Sequence, residues 1–144
     1  MGEITNRWLR EQCRIEDGVY FADDTYVALR GHVAQPPRRP IAPLLLVDPD
    51  GWSGIDRGEP LARAGGHLVF GGETSWEGCG FLALARERDG ALVWLLHASR
   101  SEAFGSADLR GALLVADSGG YPTRLRWTIP LEAPWSLGVA TADA

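Results

Sequence analysis

The chain has 144 residues, 45% hydrophobic and 23% charged, with a formal net charge of −5 at pH 7. These figures describe an ordinary globular chain of single-domain size and exclude disorder as its default state. The negative balance, with Arg38-Arg39 the only adjacent basic pair, argues against nucleic-acid binding, where clustered cations must neutralise phosphates; that every basic side chain is arginine reads as a coding bias without functional pattern.

No run approaches the ~20 apolar residues of a membrane span, and Met1 to Arg7 lacks the apolar core of a secretion signal. A cytoplasmic, membrane-free protein is therefore expected. Two cysteines, Cys13 and Cys79, are too few for a disulfide framework. The 18 glycines and 9 prolines favour short strands and tight turns over long helices.

Residues 4–14 are the best helix candidate, capped by Thr5 or Asn6, with Ile4, Trp8, Leu9 and Cys13 near one stripe. Val19 to Ala22 and Thr25 to Leu29 read as two strands turning at Asp23-Asp24, with Phe21 opposite Tyr26. Four prolines in residues 35–43 exclude a sheet interior and a helix, so a stiff connection is expected. A polyproline ligand for a partner module is the functional rival there. Leu44 to Val47 reads as a short buried strand, Asp48-Pro-Asp-Gly51 as a turn, and residues 52–60 as a loop.

Residues 66–98 read as a strand, a glycine-rich loop and a hairpin. Asp89-Gly90 supplies the two residues of a type I′ turn, which pairs Arg88 with Ala91, Ala85 with Trp94, Leu84 with Leu95 and Leu82 with His97. Phe81, Ala83, Ala85, Leu92, Trp94 and Leu96 then share the core face. Downstream, residues 99–108 are polar apart from Phe104, Ala112 to Ala116 forms a strand and residues 117–120 a turn. Arg124 to Leu131 alternates, with Leu125, Trp127, Ile129 and Leu131 inward, and the tail from Thr141 is expected to fray. The sum is a mainly β chain, an antiparallel sandwich or partly open barrel of eight or nine strands with a short N-terminal helix.

Chemistry-bearing residues are few. Gly78-x-Gly80 lacks the strand–turn–helix setting of a dinucleotide site, and Glu73 and Glu77 would repel phosphate. Cys79 could serve as a nucleophile with His67 or His97 as base, although no nucleophile signature surrounds it. His32, His67 and His97 stand alone, without metal-ligand spacing, and no cofactor is expected. Asp48, Asp50, Asp56 and Glu59 in one loop, and Glu73 and Glu77 in another, do not follow calcium-loop spacing. Together with Trp52 and Trp76 they suit a protein-binding patch, since tryptophan dominates interface hot spots and acids steer a basic partner; the alternative is that either tryptophan plugs the end of the core.

Ala85 to Trp94 looks like one blade segment of a quinoprotein propeller, but no second copy exists to close a ring. Val69-Phe-Gly-Gly72, Trp76-x-Gly78-x-Gly80-Phe-Leu-Ala-Leu84, Asp89-Gly90, Trp94 and Trp127-x-Ile-Pro-Leu131 together resemble small bacterial immunity proteins of polymorphic-toxin and contact-dependent systems. That resemblance implies a cytoplasmic, non-catalytic, β-rich protein that binds one cognate toxin and occludes its active site. The alternatives are a small enzyme using Cys79 or the loop carboxylates, and a small-molecule-binding barrel.

Overall fold

The computed structural model describes residues 2–120 and 123–142. Its elements in chain order are α1 (Glu3–Leu9), β1 (Gln12–Arg14), β2 (Gly18–Phe21), β3 (Thr25–Arg30), β4 (Val33–Pro40), α2 (Ala42–Val47), β5 (Trp52–Gly54), β6 (Ala62–Ala64) and β7 (His67–Glu73). There follow β8 (Gly80–Arg86), β9 (Leu92–Ala98), β10 (Phe104–Arg110), β11 (Leu113–Ser118), β12 (Leu125–Pro130), a single 3-10 turn at Pro134–Ser136 and β13 (Gly138–Thr141). The chain is mainly β and antiparallel, as expected. Its sheets are not closed into a barrel, and the strands among the described residues exceed the expected number because several are only three residues long. Among the same residues no helix is long and apolar enough to cross a membrane.

Three layers result. The seven-stranded sheet, in order β4-β3-β2-β9-β8-β7-β6, is the middle one. On one face it meets the four-stranded sheet β10-β11-β12-β13, and the shared core includes Val69, Leu82, Leu84, Trp94 and Leu96 against Phe104, Leu114, Trp127 and Ile129. On its other face Tyr20, Phe81, Ala83 and Leu95 pack beneath Ile4 and Trp8 of α1, Cys13 of β1, and Ile41 and Ile55. The two-stranded β1-β5 sheet completes that layer.

Several local expectations are corrected. Helix α1 stops at Leu9, and the next residues turn at Glu11 (φ +55°) into β1, so Cys13 is a strand residue and Leu9 is exposed. Neither Thr5 nor Asn6 caps it. The Asp24 carboxylate, 20 residues away, accepts from the N–H groups of Glu3 (3.0 Å) and Ile4 (2.9 Å). A carboxylate on the orphan N–H groups of a first turn satisfies them and faces the positive end of the helix dipole. Asp24 reaches them from a left-handed turn at φ +65°, and the β2–β3 register moves by one, to Tyr20 opposite Tyr26.

Of the proline-rich segment, residues 35–40 belong to β4 on the sheet edge, with Pro36 and Pro37 in the irregularity between the Ala28–Gln35 and Tyr26–Arg39 pairs. Pro43 lies in the first turn of α2, where a helix was not expected. Leu44 to Val47 belongs to α2 and is not a buried strand: Leu46 and Val47 are 85% and 87% exposed. The loop expected at residues 52–60 begins with β5, and the polar stretch 99–108 holds most of β10. Residues 117–118 continue β11, which leaves Gly119-Gly120 for the turn.

At the central hairpin the register is also one residue off expectation. Leu84 opposes Trp94, Leu82 opposes Leu96 and Phe81 opposes His97, with a bulge that places Ala85 opposite Leu92. Trp94 and Leu96 therefore face the four-stranded sheet, while Phe81, Ala83 and Leu92 face α1. The turn is a four-residue loop in which Gly90 (φ +70°) donates to the Arg86 carbonyl and Asp89 Oδ1 accepts from the Ala91 N–H at 3.0 Å. Strand β12 alternates as expected, and Thr141 pairs with Leu125 at the tail, beyond which Asp143 and Ala144 lie outside the described residues.

Candidate functional site

The two expected acidic loops meet at one end of the middle sheet. The N–H of Ser75 donates to the Gly54 carbonyl (2.9 Å), Ile55 bridges Thr74, and the hydroxyls of Ser53 and Ser75 lie 3.2 Å apart. This seam puts the segment carrying Asp56 and Glu59 beside the turn carrying Glu73, Trp76 and Glu77. Those four acids and Trp76 are exposed, Trp76 to 46%. The only cation in either loop, Arg57, leans away over the Trp8 ring (4.8 Å) and pairs with Glu11 at 3.3 Å.

The turn itself is tightly bonded. Thr74 N–H donates to the Cys79 carbonyl (2.7 Å) and Cys79 N–H to the Trp76 carbonyl (3.1 Å). Glu77 (φ +53°) and Gly78 (φ +70°) are its central residues. Positive φ at both positions is the mark of a primed two-residue turn, so the geometry anticipated at Asp89-Gly90 is found at Glu77-Gly78.

The remaining expected residues are elsewhere. Trp52 is half-buried between the guanidinium groups of Arg7 and Arg14, 4.5 and 4.8 Å from its ring, and acts as a wedge under α1. Asp48 lies on the α2–β5 turn, where its carbonyl accepts from buried Arg14 at 3.0 Å, and Asp50 is exposed on the same turn. Arg14 is held by two bonds to Glu16, 2.7 and 2.8 Å. No bond links Asp48 or Asp50 to the Trp76 turn.

Cys79 is buried, and burial, followed by the negative charges of Asp17 and Glu77, raises its thiol pKa. Cys13 is pushed to about 12 by burial and by Cys79. Nucleophilic cysteines need the opposite, an exposed thiolate stabilised by positive charge. His97 is wholly buried, and its Nδ1 lies 3.2 Å from Asp17 Oδ1 but outside hydrogen-bond geometry. Asp17 accepts instead from the Ser99 N–H (2.7 Å) and hydroxyl (2.6 Å). Burial raises the Asp17 carboxyl, but the contacts with His97 and Ser99 outweigh it and the pKa is lowered. Among the described residues no three His, Cys, Asp or Glu side chains are grouped to hold a metal ion.

A feature with no anticipating motif lies at the opposite end of β7 and β8. There the two large sheets splay around a cleft of about 850 Å³, floored by Phe21, Leu84, Trp94, Leu109 and Leu131. Its rim comes from Ala64-Gly65 and Gly111-Ala112, which carry too little side chain to close it. The bulge at Leu92 to Trp94 forms part of its wall. Charged and titratable rim groups are Asp23, Arg38, His67, Arg86 and Glu132. The signal in the sequence was the pair of small-residue turns, which become meaningful only once they are known to be neighbours. Comparison of the chain with protein-family models, with curated proteins and with solved structures returns no match.

Proposed function

We propose that this chain is a cytoplasmic immunity-type protein that binds a cognate bacterial toxin and occludes its active site. The observation that carries the reading is Trp76, a large aromatic held half in solvent on a turn whose backbone is bonded at both ends. A rigidly presented aromatic loses little conformational entropy on binding, which is what a hot spot requires. Asp56, Glu59, Glu73 and Glu77 surround it on the joined loops, and such a rim speeds encounter with a basic partner. The non-Gly residue at positive φ beside Trp76 adds support, because strained backbone concentrates at functional sites. The enzyme alternative is disfavoured by the buried, pKa-raised thiol of Cys79.

The test is to tag the protein, co-express it with the products of flanking genes, and identify what survives a salt wash. A stoichiometric partner that is toxic when expressed alone supports the proposal. Given that partner, Trp76→Ala with Glu77→Arg weakens binding by about 2 kcal/mol or more, the scale of a hot spot, with the melting temperature little changed. Unchanged affinity in the folded double variant rejects the site, and no toxic partner among the flanking products rejects the function.

A further inference from the structure

We propose that the cleft between the splayed sheets binds a monoanionic amphipathic small molecule, its carboxylate held by Arg86 and His67 and its apolar body lying on half-buried Val93 and Leu109, above the buried side chains of Leu84, Trp94 and Leu131. The site is distinct from the Trp76 turn. Their strands join them, with His67 opposite Arg86 at the cleft end and Glu73 opposite Gly80 at the other, about 20 Å apart.

Size is the first argument: about 850 Å³ lies within the ~300–1,000 Å³ range of small-molecule sites. The second is the pairing of His67 and Arg86. As direct cross-strand partners they project from the same sheet face, the face that carries Leu84 and Val69 into the sandwich. The half-buried His67 side chain makes no hydrogen bond or ion pair among the described residues, and the Arg86 side chain makes one, from Nη2 to Asp89 Oδ2 at 3.0 Å. A guanidinium has five N–H donors in a fork that matches a carboxylate, so most of this one is uncommitted.

The other basic group, Arg38, is already occupied. It bonds to Asp23 (2.8 Å) and Thr25 (2.6 Å) and stacks on the Phe21 ring at 3.7 Å, which makes it a wall. Asp23 and Glu132 also line the cleft and oppose a second negative charge. That balance selects a single carboxylate over a phosphate dianion. The part of the floor a ligand reaches, Val93 and Leu109, is aliphatic and rests on buried Leu84, Trp94 and Leu131, so the remainder of the ligand is apolar. Finally, the bulge at Val93 lies in the wall, and bulges recur beside binding sites because they re-aim side chains.

The test compares decanoate with decyltrimethylammonium, which has the same tail and the opposite charge, by calorimetry below micelle-forming concentrations. Decanoate is expected to bind at least about tenfold more tightly, a difference of roughly 1.4 kcal/mol, and to shift the NMR resonances of His67 and Trp94. Arg86→Ala should reduce decanoate affinity by about tenfold while leaving decyltrimethylammonium unaffected. Ala112→Trp, at an exposed rim position, should block both without lowering the melting temperature. Equal binding of the two head groups, decanoate binding indifferent to Arg86→Ala, or no decanoate binding at all overturns the proposal. None of these outcomes bears on the toxin partner, which is tested at the other end of the sheet.

Discussion

A glutamate at φ +53° followed by a glycine at +70° forms the turn that presents Trp76. For an L-residue with a Cβ, the left-handed region costs roughly 1–2 kcal/mol. Gly78 escapes that cost, whereas Glu77 bears it, and the flanking bonds of Thr74 and Cys79 hold it there. Replacement with glycine removes the strain but adds freedom to the unfolded chain, so Glu77→Gly should be at least as stable as the parent. Glu77→Val, β-branched at the same angle, should lose about 1 kcal/mol or more. Urea midpoints for the two variants check this, and equal midpoints would mean that the turn is not left-handed at residue 77. The acids and Trp76 were legible as candidates because charge and aromatic character are visible in one residue at a time. The place of Trp52 was not legible, since it depends on Arg7 and Arg14 closing over its ring from other elements.

Among the elements, legibility followed how much solvent each one meets. Strand β12 has one wet face, and its alternation gave both the strand and its inward residues. In β8 and β9 both faces are buried, so hydrophobicity no longer reports a side, and the register rested on the turn alone. There the four-residue loop and the bulge, both invisible to the Asp-Gly pattern, shifted the pairing by one. Helix α2 failed for another reason: four consecutive apolar residues fit a strand or a helix equally well. Pro43 near its N-terminus was the available clue, because proline is favoured in a first helical turn. The hairpin loop carries its own prediction. Gly90 has φ +70° with open space around its Cα, so Gly90→Ala tests backbone strain free of steric clash and should cost about 1 kcal/mol. Gly138→Ala is the control, equally open but without positive φ, and should leave the urea midpoint unchanged or slightly higher. Equal losses at both positions would assign the effect to something other than the left-handed conformation.

At the scale of the whole molecule, elements far apart in sequence are tied by polar bonds at the ends of paired strands, and Asp17 makes one that spans 82 residues of sequence where β2 lies beside β9 in the middle sheet. It lies just before β2, and its carboxylate accepts both the N–H and the hydroxyl of Ser99, where the chain leaves β9 and crosses to the second sheet. Tyr20 bonds to the neighbouring Glu16 carbonyl at 2.8 Å, so the segment is anchored on both sides. Such a tie cannot be read from local pattern, because nothing near Asp17 in sequence announces Ser99. Its energetic signature is nevertheless specific. The folded-state pKa of Asp17 is lowered, so the folded protein holds the ionised form more strongly than the unfolded chain does. The stabilisation is therefore fully present above the unfolded carboxylate value of about 3.9 and is lost as pH falls through the lower folded value. Asp23 and Asp117 are lowered as well and add to the same acid limb, so the total slope does not isolate Asp17. The difference between the parent and Asp17→Asn does. At pH 7 the variant should lose about 2 kcal/mol, the scale of hydrogen bonds to a charged acceptor. As pH falls below about 4 the two urea midpoints should converge, because the parent loses by protonation what the variant has already lost. A gap that stays constant from pH 7 down to the acid transition would mean that Asp17 titrates identically in the folded and unfolded chains, and the tie would then contribute shape but no pH dependence.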